Sequence, residues 1–124
     1  ELIQNIDYAP TFLDIAKLVI PIEVQGRSLV PLFQGIDKRW RKSIYYSYYE
    51  LGEHAVPQHF GVRTAQHKLI YFPINKEWNL FDLQKDPHEL KSVHFNPAYE
   101  KKLNDLKNEF YRLRKYFNAP AFSE

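Results

Sequence analysis

Cysteine is absent from this chain. Its absence removes disulfides, thiolate zinc sites and cysteine nucleophiles together, and leaves the redox compartment unreadable. No apolar run approaches the roughly 18 residues of a membrane-crossing helix, and the first residues lack the basic, apolar and small-residue succession of a secretory leader. No membrane partner is expected. An excess of one charge is missing too, since 17 basic and 15 acidic residues leave a net charge of +2. That balance gives no electrostatic footprint for nucleic acid, so none is expected as a partner. An initiator methionine is also lacking, and a chain that opens on Glu1, Leu2 and Ile3 is expected to be a piece of a longer polypeptide.

What is present is aromatic. Nine Tyr, nine Phe and two Trp make up 16% of the 124 residues, which favours a packed core over disorder. A helix is predicted from Asp7, whose carboxylate suits a cap, with Pro10 tolerated in the first turn and Pro21 as the stop. Phe12, Leu13, Ile15, Ala16, Val19 and Ile20 make much of that helix apolar. A terminal helix with so much hydrophobic surface is expected to pack on protein beyond this chain, or to self-associate through Phe12, Ile15 and Val19. Residues 22–42, with Gly26, Pro31 and Gly35, read as an irregular connector with at most a short helical turn at Leu29 to Phe33.

From Ser43 the pattern changes to short runs rich in aromatic and β-branched residues. Strands are predicted at Ser43 to Glu50, Phe60 to Thr64, Lys68 to Phe72 and Trp78 to Leu83, separated by turns. Asp86-Pro87 ends the meander. Asn96 and Pro97 then start a helix in which Tyr99, Leu103, Leu106, Phe110, Leu113 and Phe117 form one apolar stripe. The predicted fold is α+β, with about four antiparallel strands covered by a long C-terminal helix and a leading helix plus connector placed before them.

The densest ionisable set on a predicted loop is Glu50, Glu53, His54 and His59. The spacing of the two histidines fits no strong metal signature. Three readings remain open for them: a metal site, ordinary strand-end and solvated histidines, or a polar recognition loop for hydroxyl-rich ligands. Arg63, in mid-strand, is expected to form a structural ion pair with Asp86 or Glu89, with substrate contact as the alternative. The tyrosines from Tyr45 to Tyr49 read as sheet and core residues, or as a stacking platform in a free-standing carbohydrate-binding module. No nucleophile, base and oxyanion site assemble anywhere, so no catalytic residue is assigned.

Taken in order, NIDYAPTFLDIA, VQGRSLVPLFQG, WRKSIYYSYYE, GVRTAQHKLIYF, EWNLFDLQKDPHEL and the final helix resemble the C-terminal end of the sulfatase family, in the alkaline-phosphatase-like superfamily. The resemblance implies that residues 1–42 are the end of the catalytic domain and 43–124 a small C-terminal subdomain. It implies a parent enzyme that uses calcium and a formylglycine made from Cys or Ser in a C/S-x-P-x-R motif. Ser28, Ser43, Ser47, Ser92 and Ser123 lie in no such context, so the chain alone is expected to be inactive. The implied partners are the N-terminal catalytic domain and a sulfated carbohydrate, and the implied location is periplasmic or secreted. The EHAVPQHFGVRT segment resembles the subgroup acting on 6-O-sulfated N-acetylglucosamine, which maps a sugar contact onto His59, with His54 as its neighbour.

Overall fold

The structure, a computed structural model, describes residues 1–36, 39–50 and 56–121. It divides into two compact units, Glu1–Lys42 and Ser43–Glu124. Among the described residues no helix is long and apolar enough to cross a membrane.

In the first unit a 3-10 turn at Asn5–Asp7 leads into helix α1, Tyr8–Ile15, and a four-residue helix α2 follows at Val30–Phe33. Asp7 occupies the predicted cap position of α1 but makes no side-chain cap bond to it. Its fully buried carboxylate instead takes the Arg41 guanidinium at 2.5 and 2.7 Å, the Arg27 amide at 2.9 Å and the Gln4 amide at 2.8 Å. Burial pushes the Asp7 carboxyl up, but the Arg41 guanidinium and the two amides outweigh it and hold the group below the ordinary carboxylate value. Gly26 is required beside this hub because a Cβ there would run into the backbone carbonyl of Ile6. Trp40 completes the unit, donating to the Leu2 carbonyl at 2.7 Å under the guanidinium groups of Arg27 and Arg41.

Helix α1 ends at Ile15, earlier than the run to Ile20 that the apolar pattern predicts. Lys17 turns left-handed at φ 59°, its amide bonding the Asp14 carbonyl and that of Leu18 bonding the Leu13 carbonyl. This Schellman arrangement satisfies the last helical carbonyls without Pro21. Phe12, Ile15 and Val19 are exposed, as are Leu18 and Ile22.

The second unit is an antiparallel meander of β1, Ser43–Tyr48, β2, His59–Thr64, β3, His67–Phe72, and β4, Glu77–Asp82, in that spatial order. Helix α3, Glu100–Tyr116, follows a 3-10 turn at Pro97–Tyr99 that is capped by the Asn96 side chain on the Ala98 amide. Strand pairing aligns Tyr45, Val62, Leu69 and Leu80 in one row across all four strands. Each is buried, and with Phe60 and Tyr71 they form one face of a core whose other side is Leu106, Phe110 and Leu113 of α3. Period-two burial on the strands and the stripe on the helix thus meet as predicted. Tyr45, pushed up to about 12 by burial, accepts from Arg114 and tilts against the Phe110 ring. Asp82 fastens the end of β4 to the start of α3 by accepting from the Tyr99 hydroxyl at 2.7 Å.

Candidate functional site

Because alternate residues of β2 enter the core, His59, Gly61 and Arg63 point to the sheet face turned away from α3. The same pleat puts Tyr46 and Tyr48 of β1, and Lys68, Ile70 and Phe72 of β3, on that outer face. Here the half-buried His59 ring lies in an aromatic frame. It stacks on Tyr48 with centroids 5.5 Å apart and planes at 22°, meets Tyr46 edge-on at 5.9 Å, and tilts against Phe72 at 5.7 Å. Its Nδ1 lies 2.9 Å from the Pro57 carbonyl oxygen. Tyr48 is tied in turn to Glu50, donating its hydroxyl at 3.0 Å.

Tyr46 is the deepest member of this frame. Its ring covers Gly61, where a Cβ would fall within 3.0 Å of the ring atoms Cζ and Cε1 and of the hydroxyl. Burial raises the Tyr46 phenol well above its ordinary value; Glu89 raises it further and Arg63 opposes. Its hydroxyl is buried without a hydrogen-bond partner among the described residues, so the group holds its place by packing. Lys68 lies over the same ring, 5.8 Å from the centroid.

The predicted site residues are distributed unevenly. His59 opens β2 inside the aromatic frame, whereas His54 and Glu53 lie outside the described residues. Arg63 is exposed and does not take the carboxylate expected for it. Glu89 binds Lys68 at 2.6 Å, and Asp86 accepts from the Lys91 amide at 2.8 Å. Arg63 and Lys68 are cross-strand neighbours, so both could reach toward the turn after β4, and the strand adjoining that turn supplies the cation. The Tyr45 to Tyr49 run does not make one platform, since Tyr45 is core while Tyr46 and Tyr48 face outward. Tyr48, Phe72 and the Pro57 carbonyl were not singled out as partners of His59 by the sequence; the only local signal was that Tyr46 and Tyr48 share a face.

The frame can offer hydrogen bonds and an aromatic wall. Among the described residues no three His, Asp or Glu side chains are grouped to hold a metal.

Comparison with known proteins gives a consistent result. A family model described as "N-sulphoglucosamine sulphohydrolase, C-terminal" matches residues 1–116. An N-acetylglucosamine-6-O-sulfatase of Bacteroides thetaiotaomicron is 42% identical over 108 residues, covering 83% of this chain and 19% of that protein. An arylsulfatase of Clostridium perfringens is 33% identical over 110 residues, covering 86% of this chain and 21% of its own length. A solved structure of a protein in complex with its substrate D-glucosamine-2-N,6-O-disulfate superposes with a TM-score of 0.86 at 38% identity, covering 90% of this chain and 24% of that one. The chain therefore spans about a fifth of the length of each of these two sulfatases.

Proposed function

The chain belongs to the C-terminal family of N-sulphoglucosamine sulphohydrolase, and from that premise we propose that it forms the C-terminal part of a glycan sulfatase whose substrate is a 6-O-sulfated glucosamine. The carrying observation is the 42% identity to an N-acetylglucosamine-6-O-sulfatase over a stretch long enough to include all four strands. The protein solved with D-glucosamine-2-N,6-O-disulfate as substrate supports the same sugar. In this reading residues 1–42 close the catalytic domain and 43–124 form a small subdomain at the rim of the substrate pocket. The exposed apolar side chains of α1, Phe12 and Ile15 among them, then lie against the preceding catalytic domain.

His59 is the residue assigned to the sugar, with His54 as a secondary contact. The half-buried, framed imidazole suits this role, because a contact that is held before the ligand arrives loses little freedom on binding. Calcium and formylglycine, which the family resemblance implies, do not fit the residues here. No three-ligand group exists among the described residues, the chain has no cysteine, and none of its serines opens an S-x-P-x-R motif. Both are assigned to the preceding domain, and no step is derived through them.

The test is hydrolysis of N-acetylglucosamine 6-sulfate by the full-length gene product. His59→Ala should lower kcat/KM by roughly 5- to 150-fold, the equivalent of about 1–3 kcal/mol for one or two lost hydrogen bonds. Unchanged kinetics on the best 6-O-sulfated substrate would remove His59 from the contact set. Failure of the intact protein to hydrolyse any sulfate ester would remove the sulfatase reading itself.

A further inference from the structure

His59 has two ring nitrogens, and its surroundings decide what each can do. Nδ1 sits 2.9 Å from the Pro57 carbonyl oxygen. A carbonyl oxygen has lone pairs and no proton, so a hydrogen bond at this distance requires the proton on Nδ1. In the neutral ring Nε2 is then unprotonated and is an acceptor. The ring cannot readily turn over and carry Nδ1 away from that carbonyl, because Tyr48 is stacked against it and Tyr46 and Phe72 meet it from two further directions.

We propose that the Pro57 carbonyl and the Tyr48 ring are positioning elements that lock His59 in its Nδ1–H form. Nε2 is thereby a fixed hydrogen-bond acceptor selecting ligands that present a hydroxyl or amide donor. This rests on the reading of His59 as a sugar contact, and it narrows that reading. The neutral histidine does not bind a sulfate group, whose oxygens only accept. It recognises a donor elsewhere on the sugar, such as a ring hydroxyl or an N-acyl N–H. Tyr48 touches the ligand only through His59 and is a positioning residue.

Two measurements separate this inference from the reading beneath it. Long-range nitrogen–proton NMR of this chain, at a pH where His59 is neutral, reports which ring nitrogen carries the proton. The expected spectrum shows Nδ1 protonated and Nε2 bare, and Tyr48→Leu should convert it toward an averaged mixture while Tyr48→Phe preserves it. An Nε2–H ring, or an averaged spectrum in the unsubstituted chain, overturns the proposal even if His59→Ala cripples turnover.

The second measurement is kinetic, on the full-length gene product with N-acetylglucosamine 6-sulfate. Tyr48→Leu should lower kcat/KM by up to about tenfold, the upper end of what one aromatic pair contributes, and Tyr48→Phe should stay within about twofold of the parent. His59→Gln, which carries an amide oxygen able to reach the Nε2 position, should recover part of the activity lost in His59→Asn, which keeps only the Nδ1 side. Equal loss in the Gln and Asn variants overturns the acceptor role. No loss in any His59 variant, together with an Nδ1–H spectrum, removes the sugar contact and leaves the locked ring without a ligand.

Discussion

Gly61→Ala is the substitution whose consequence the outer sheet face defines most sharply. A methyl group is ordinarily welcome in a strand, where replacing Gly by Ala gains roughly 0.5–1 kcal/mol of backbone entropy. At position 61 the new Cβ would fall within 3.0 Å of three atoms of Tyr46, two of them in a ring that cannot bend aside. Tyr46 must swing off the sheet, giving up its packing and its edge contact with His59. Overpacking of this kind costs about 1–3 kcal/mol. Set against the entropic gain, and against rehydration of a buried hydroxyl that has no partner among the described residues, the net loss should be up to about 2 kcal/mol. In urea denaturation of the chain this appears as a lower midpoint at unchanged slope, and in thermal melts as a fall of up to roughly 8 °C. The control is the same change in a Tyr46→Ala background, where the obstructing ring is gone and Gly61→Ala should be neutral or stabilising by up to about 1 kcal/mol. Equal destabilisation in both backgrounds would refute the account, because the cost would then not come from Tyr46.

Three further outcomes follow from the same geometry. Asp7→Asn should destabilise the first unit by about 3 kcal/mol, because it leaves the largely buried Arg41 guanidinium without its counter-charge; a loss under about 1 kcal/mol by denaturation would show the pair to be a surface bridge in effect. The Asp7 carboxyl is held below its ordinary value of 3.8 in the folded chain, so its contribution is fully present above about pH 4 and is lost as pH falls through the depressed folded value. Acid titration of the parent should therefore show a loss of stability in that window that Asp7→Asn lacks. Phe110→Ala, at a side chain with 0% exposure in the centre of the core, should cost about 3–5 kcal/mol and unfold the meander together with α3; a folded sheet with only α3 detached would separate two elements that the core joins.

The meander and its covering helix were legible because their signals are local. Alternation of aromatic and β-branched residues writes a strand, and the stripe from Tyr99 to Phe117 writes a helix face. Asn96 and Pro97 marked the start of that helix region, and the Asn96 side chain caps it. The end of α1 was not legible. Helices α1, α2 and α3 close with the same pair of Schellman bonds around a left-handed residue: Lys17, Gly35 and Asn118. Glycine and asparagine announce such a turn, but lysine does not. The apolar pattern beyond Ile15 therefore read as more helix.

The candidate site divides in the same way. His59 was a candidate from the sequence as a loop histidine just before a predicted strand, with the sugar contact mapped onto it by the family resemblance, and the family was legible in the order of several segments. Its frame depends on Tyr48 pairing with His59 across residues 49–58 and on Phe72 arriving from the next hairpin. A shift of one residue in either register would send those rings to the core face. The Lys68–Glu89 bridge likewise depended on which of two adjacent cations lay nearer the turn after β4. Sequence by itself determined the elements, their order and the family, since these rest on interactions between residues close along the chain. Tertiary structure alone decided which rings enclose His59 and which carboxylate Arg41 meets, because each depends on atoms brought together from distant positions.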